Sequence, residues 1–112
     1  MTMERSKISK IDARKTDAPS FLSEDRVFVL FYASWCQFSQ RFLPIFNKFE
    51  EIVTDKCARI VIDENHELRE KYQIKVVPTI LFIEKGQVKR RLDGKAGKGL
   101  NEQNLLDFSK QC

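Results

Sequence analysis

The apolar positions of the chain change period several times, and each change marks an element. Val27 to Tyr32 (Val-Phe-Val-Leu-Phe-Tyr) is an unbroken β-branched and aromatic run, the pattern of a strand buried on both faces and hence of a sheet with helices on either side. After Ala33-Ser34-Trp35 the period becomes helical. Phe42, Ile45, Phe46, Phe49, Ile52 and Val53 predict one long amphipathic helix from about Cys36 to Thr54. Pro44 lies inside it, where its ring removes one amide and crowds the preceding turn, so a kink is expected there. Ala58 to Ile62 predicts the next strand, followed by a helix capped near Asp63 or Asn65 that ends at Tyr72. Val76-Val77-Pro78 leads into a third strand, Thr79 to Ile83. Lys85-Gly86-Gln87 then reads as a tight turn from which Val88 to Leu92 pairs back as a hairpin. Gly94, Gly97 and Gly99 make a loop, and Asn101 caps a last helix with Leu100 and Leu105 as a hydrophobic staple.

Upstream, the first 17 residues are polar, with only Ile8 and Ile11 to pack, and hold at most one short edge strand. Asp17-Ala18-Pro19 opens a short helix, since Asp caps free amides and Pro is tolerated in a first turn. The order β-α-β-α-β-β-α, parallel at first and antiparallel at the end, describes an α/β fold with a mixed central β-sheet flanked by helices on both faces. At 112 residues there is room for one core, so residues 1–112 are read as a single domain, with 1–16 as an N-terminal extension carrying the edge strand.

Composition narrows the class. Apolar residues make up 42% and charged residues 32%, the balance of a globular protein, and no apolar run approaches the roughly 18 residues of a membrane span. Met1 to Lys15 is too charged for a secretory signal, so the expected location is cytoplasmic, without a membrane. The net charge of +4 is concentrated at Arg5–Lys15 and Lys85–Lys98. No nucleic-acid motif accompanies it, so these cations read as solvated surface, without a nucleic-acid partner. The three cysteines, Cys36, Cys57 and Cys112, form no C-x-x-C pair and no disulfide framework. With His66 on a polar helix start, no metal-ligand spacing is present, and neither a metal nor another cofactor is expected.

One cysteine stands in an unusual position. Cys36 follows a buried strand and opens a helix, where free amides and the positive end of the helix dipole stabilise a thiolate over a thiol and make it nucleophilic. Ser39 lies one turn on, where its hydroxyl is expected to donate to the sulfur. Trp35 is either a core tryptophan or an apolar cover for a bound peptide. Cys57 begins a strand some distance away and is expected to pack. Cys112 sits at a helix end that frays.

The segment Phe31-Tyr32-Ala33-Ser34-Trp35-Cys36-Gln37-Phe38-Ser39 resembles the active-site strand and helix start of thioredoxins and protein disulfide isomerase domains. Pro44 matches the proline within that family's helix, and Val77-Pro78-Thr79 matches its loop with a proline in cis. Asp63-Glu64-Asn65, Lys71-Tyr72 and Phe82 to Gly86 also fit. The resemblance spans about Val27 to Gly94. It implies a thioredoxin fold, Cys36 and Ser39 as the catalytic pair of positions, and a peptide-binding surface from Trp35, Gln37, Phe38, Val77 and Pro78. Two departures stand out. Ser39 occupies the place of the second cysteine and cannot resolve a mixed disulfide. Leu30 occupies the place of a buried acid that serves that second thiol, and Arg59, where a nearby lysine is usual, is expected to be exposed.

Two functions of different class follow. In the first, Cys36 attacks a protein disulfide or a glutathionylated thiol and holds a mixed disulfide, which glutathione or a substrate thiol releases. That gives isomerase-like or deglutathionylating exchange with weak net reduction, in a protein expected to be a monomer. In the second, the chain is a redox-inactive module that binds an extended peptide beside the cis-proline loop. A third reading, from the likeness of Cys36-Gln37-Phe38-Ser39 to the C-G-F-S of monothiol glutaredoxins that bind iron-sulfur clusters, ranks last because Gln37 replaces the glycine.

Overall fold

The structure, a computed structural model, describes residues 10–12, 24–95 and 97–112. The expected helix at Asp17-Ala18-Pro19 lies outside them. Five strands form one sheet: β1 (Lys10–Asp12), β2 (Arg26–Tyr32), β3 (Lys56–Val61), β4 (Thr79–Glu84) and β5 (Gln87–Asp93), in spatial order β1-β3-β2-β4-β5. β1, β3 and β2 run parallel, whereas β4 and β5 are antiparallel to their neighbours. The helices are α1 (Gln37–Ile52), α2 (His66–Lys71) and α3 (Glu102–Lys110), with a short 3-10 turn at Ile62–Glu64.

β2 is central, and its alternation feeds two cores. Val27, Val29 and Phe31 face Ala58, Ile60, Leu81 and Ile83, with Leu68 of α2 and Ile74 beyond them. Phe28 and Leu30 face the opposite cluster, with Phe42, Phe46 and Phe49 of α1 and Leu105 and Phe108 of α3. Phe28 alone meets three rings, those of Phe49, Phe82 and Phe108, at centroid distances of 4.9–6.2 Å, within the range of favourable aromatic pairs. Pro44 sits inside α1 without ending it.

The turns follow their chemistry. Lys85 and Gly86 both have positive φ, 52° and 81°, as a two-residue hairpin turn of the primed type requires. Asn101 caps α3 in a capping box with Asn104, and Leu100 packs on the same core as Leu105. Asn65 holds the N-cap position of α2, but its side-chain amide donates backwards to the Val61 carbonyl at 2.8 Å. β5 is an exposed edge whose Lys89, Arg90 and Arg91 discourage pairing with another chain.

Arg59 corrects the sequence reading. It is 8% exposed, not solvated. Its guanidinium donates to Asn47 Oδ1 at 2.6 and 3.0 Å and to Glu50 Oε1 at 2.7 Å, and it stacks over Phe46. A buried cation needs such a carboxylate and such hydrogen bonds, and α1 supplies both.

The Val77–Pro78 peptide bond is cis, and Gly94, the residue after β5, lies against it. A Cβ on Gly94 would come within 2.5 Å of the Pro78 carbonyl oxygen, whereas a Cβ on Gly97 would meet nothing within 4 Å. Gly94→Ala should therefore destabilise the protein by about 2–4 kcal/mol through backbone displacement, and Gly97→Ala by only about 1 kcal/mol through its positive φ. Urea denaturation of both variants checks this. Equal losses would mean that contact with the cis-proline loop is not what requires glycine at position 94.

Candidate functional site

β2 ends at Tyr32 and α1 begins at Gln37, so residues 33–36 form a short turn at the C-terminal edge of the sheet. Its polar groups are closely accounted for. The Ala33 N–H donates to Ser39 Oγ at 3.2 Å, and the Cys36 N–H donates to the Ala33 carbonyl at 3.4 Å. Ser34 donates through its N–H and its hydroxyl to the two carboxylate oxygens of Asp63, at 3.4 and 2.8 Å. Gln40 Nε2 closes the turn on the Ser34 carbonyl at 3.0 Å. Burial opposes ionisation of Asp63, but the hydrogen bonds from Ser34 outweigh it and hold the carboxyl below its ordinary value. The turn is thus tied both to α1 and to the segment after β3.

Ser39 has a different role from the one its spacing suggested. It is fully buried and its Oγ accepts from the Ala33 amide; among the described residues its hydroxyl makes no hydrogen bond to the Cys36 sulfur. The reason is local: the Ala33 N–H leaves the ladder at the end of β2 and needs an acceptor, because a buried unpaired amide is costly.

Cys36 is the N-cap residue of α1, with extended backbone angles, and it packs partly buried against the core beneath α2. It opens onto a groove of about 210 Å³ that Trp35, Phe38 and Val77 also line. These four of the expected site residues therefore come together. Trp35 is 72% exposed, so it is not a core residue, and it stands at the rim of the groove. Phe38 leans on Gly99, where a Cβ would approach within 2.9 Å of the Phe38 Cβ. Gln37, the first residue of α1, is exposed and does not line the groove. Pro78 is buried behind it, so Val76 and Val77 carry the loop's contribution to the surface.

The sequence reading missed Ile62, Arg69, Ile74, Lys75 and Lys95, which complete the groove. Lys75 precedes the Val76-Val77-Pro78 loop directly, and that adjacency was a usable signal. Arg69 had none, because only the fold brings α2 to the site.

The other two thiols lie at the far end of the sheet. Cys57 pairs with Phe28 near the start of β2, while Tyr32, at the end next to Cys36, pairs with Val61. Four residues of strand span ~13 Å, well beyond the ~7 Å between Cα atoms that a disulfide tolerates. Burial, reinforced by Glu50, pushes the Cys57 thiol up to about 12. Cys112 sits beside Arg26, whose Nη2 donates to its carbonyl at 3.5 Å, and burial raises its thiol above the ordinary value.

Comparison with known proteins agrees with this geometry. A family model described as Thioredoxin matches residues 6–107. A thioredoxin of Mycoplasma pneumoniae is 33% identical over 88 residues, covering 78% of this chain and 86% of that protein. Thioredoxin Y2, chloroplastic, of Arabidopsis thaliana is 36% identical over 74 residues, covering 64% of this chain but 44% of the relative. The chain thus spans less than half of that longer protein. Among solved structures, Plasmodium falciparum thioredoxin superposes with a TM-score of 0.80 at 24% identity, covering 90% of this chain and 97% of that one, a likeness of fold. With its sheet order and the matched family model, the chain belongs to the thioredoxin family, whose general chemistry is thiol–disulfide redox exchange.

Proposed function

We propose that this protein carries out monothiol thiol–disulfide exchange through Cys36, forming mixed disulfides with protein or glutathione partners that an external thiol resolves. The observation that carries the reading is the combination at one turn: a cysteine at a helix N-cap, open to an apolar groove, with a buried serine one turn on. The thiolate attacks one sulfur of a substrate disulfide. A new S–S bond forms to Cys36, and the other substrate sulfur leaves as a thiolate. In a dithiol protein the second cysteine would then displace the substrate. Ser39 has no sulfur to do so, and Cys57 and Cys112 lie too far away, so release needs glutathione or a substrate thiol. This favours reshuffling and deglutathionylation over net reduction.

Leu30 supports the same reading. It is fully buried, pairs across the sheet with Ile80 and Arg59, and packs in the cluster of Phe42 and Phe46. An acid that serves a second thiol has no task where that thiol is missing, and the position has become part of the core. The reading as a redox-inactive peptide binder draws on the exposure of Trp35 beside the groove. It differs in requiring no chemistry of Cys36, so a Cys36→Ser variant would keep its function.

Insulin reduction with dithiothreitol tests the missing resolving thiol. Ser39→Cys should accelerate it more than roughly tenfold, because an intramolecular thiol has a large effective concentration. Equal rates in the two proteins would show that another residue already resolves the adduct. Leu30→Asp alone should cost about 2–4 kcal/mol in chemical denaturation, through a carboxylate buried in an apolar cluster, and add no activity. In the Ser39→Cys background it should raise the reductase rate at neutral pH. No gain there would mean that Leu30 does not stand in the acid's place.

A further inference from the structure

Two grooves meet at Phe38. One holds Cys36 and is bordered by Arg69, Lys75 and Lys95; the other is bordered by Arg41 and Lys98. Among the described residues, no Asp or Glu lines either of them. Among the described residues none of these five cations makes an ion pair. Arg69 gives its Nε–H to the Ile74 carbonyl at 3.2 Å, and Arg41 lies over the Phe38 ring at 5.2 Å. The backbone of Lys95 is fixed by paired hydrogen bonds with Gly99, at 2.8 and 3.2 Å. Of the nearby carboxylates, Asp93, which borders the adjoining groove with Lys75, is paired with Arg91 at 2.8 Å, while Asp63 accepts from Ser34, stays anionic and lines neither groove. Of the basic run between Lys85 and Lys98, Lys95 lines the groove that holds Cys36 and Lys98 the groove beside it.

We propose that the Cys36 groove selects acidic substrates: an extended peptide whose cysteine is flanked by Asp or Glu, its backbone beside Val76–Val77 and its apolar side chains against Trp35 and Phe38. Unneutralised cations around a partly apolar groove raise the local concentration of an anionic partner and its association rate, and disfavour a cationic one. This rests on the exchange reading and adds the class of client to it.

The test uses short peptides with one central cysteine activated as a neutral 2-pyridyl disulfide, flanked by acidic, neutral or basic residues. The Cys36 thiolate attacks the peptide sulfur, the Cys36–peptide S–S bond forms, and the pyridyl sulfur leaves, is reduced, takes a proton and is followed by absorbance. At low ionic strength the acidic peptide should react about tenfold faster than the basic one, and the gap should narrow several-fold towards ~1 M salt. Lys75→Glu, Lys95→Glu and Lys98→Glu together, all exposed positions, should reverse the order. Lys56→Glu, Lys85→Glu and Lys110→Glu, which make the same change of net charge at the opposite end of the sheet, should leave the order intact. Equal rates for the three peptides would overturn the charge selection while leaving exchange standing. Reaction no faster than that of an unstructured cysteine peptide would overturn exchange itself. Stronger competition by a single-stranded oligonucleotide than by a thiol-free acidic peptide of equal charge would overturn the peptide as occupant.

Discussion

The double-sided burial of β2 is the constraint from which the rest of the structure follows. Val27, Val29, Leu30 and Phe31 are wholly removed from water and Phe28 nearly so, three of them towards α2 and two towards α1 and α3. A strand with apolar side chains on both faces has to lie mid-sheet with a layer on each side. That requirement places β3 and β4 as its neighbours and lays α1 back across one face. It also fixes the turn after Tyr32 at the carboxyl edge of the sheet, and Cys36 stands in that turn.

Polar partners as well as packing hold the turn. Ser39 receives the Ala33 amide, Asp63 receives Ser34, and Gln40 reaches the Ser34 carbonyl. These bonds leave Trp35 projecting into solvent while Cys36 rests against the core, so an apolar rim and a sulfur are presented together. On the other face of the sheet, Leu30 and Arg59 sit side by side on adjacent strands, the first in an aromatic cluster and the second bound to Glu50 and Asn47. In the proposed monothiol exchange, Leu30 and Ser39 are consistent with each other: with a hydroxyl at position 39, an acid at position 30 would have no second thiol to serve.

Much of this was legible in the amino-acid sequence. Val27 to Tyr32, the helical spacing of Phe42, Phe46 and Phe49, and the Asn101 cap each carry a local signal strong enough to survive folding. What was not legible depends on partners brought from afar. Arg59 read as exposed because a charge usually marks the surface, and its burial depends on Glu50 and Asn47 lying opposite on α1. Ser39 read as a donor to Cys36, since spacing gives proximity but not hydrogen-bond geometry; in the fold its oxygen accepts the Ala33 amide. Lys95 and Lys98 read as solvated, and they are exposed; what the sequence did not show is that their loop returns to Phe38, through the close approach at Gly99.

The most direct measurement of the central claim is the site of mixed-disulfide formation on the native protein. After brief exposure to oxidised glutathione near neutral pH, peptide mapping by mass spectrometry reports the fraction of each cysteine modified. The account requires Cys36 to carry nearly all of the adduct, with Cys112 far behind and Cys57 modified only after denaturation. An adduct that appears first or equally fast on Cys112 or Cys57 would contradict it, and the reactive thiol would then have to be sought at the other end of the sheet.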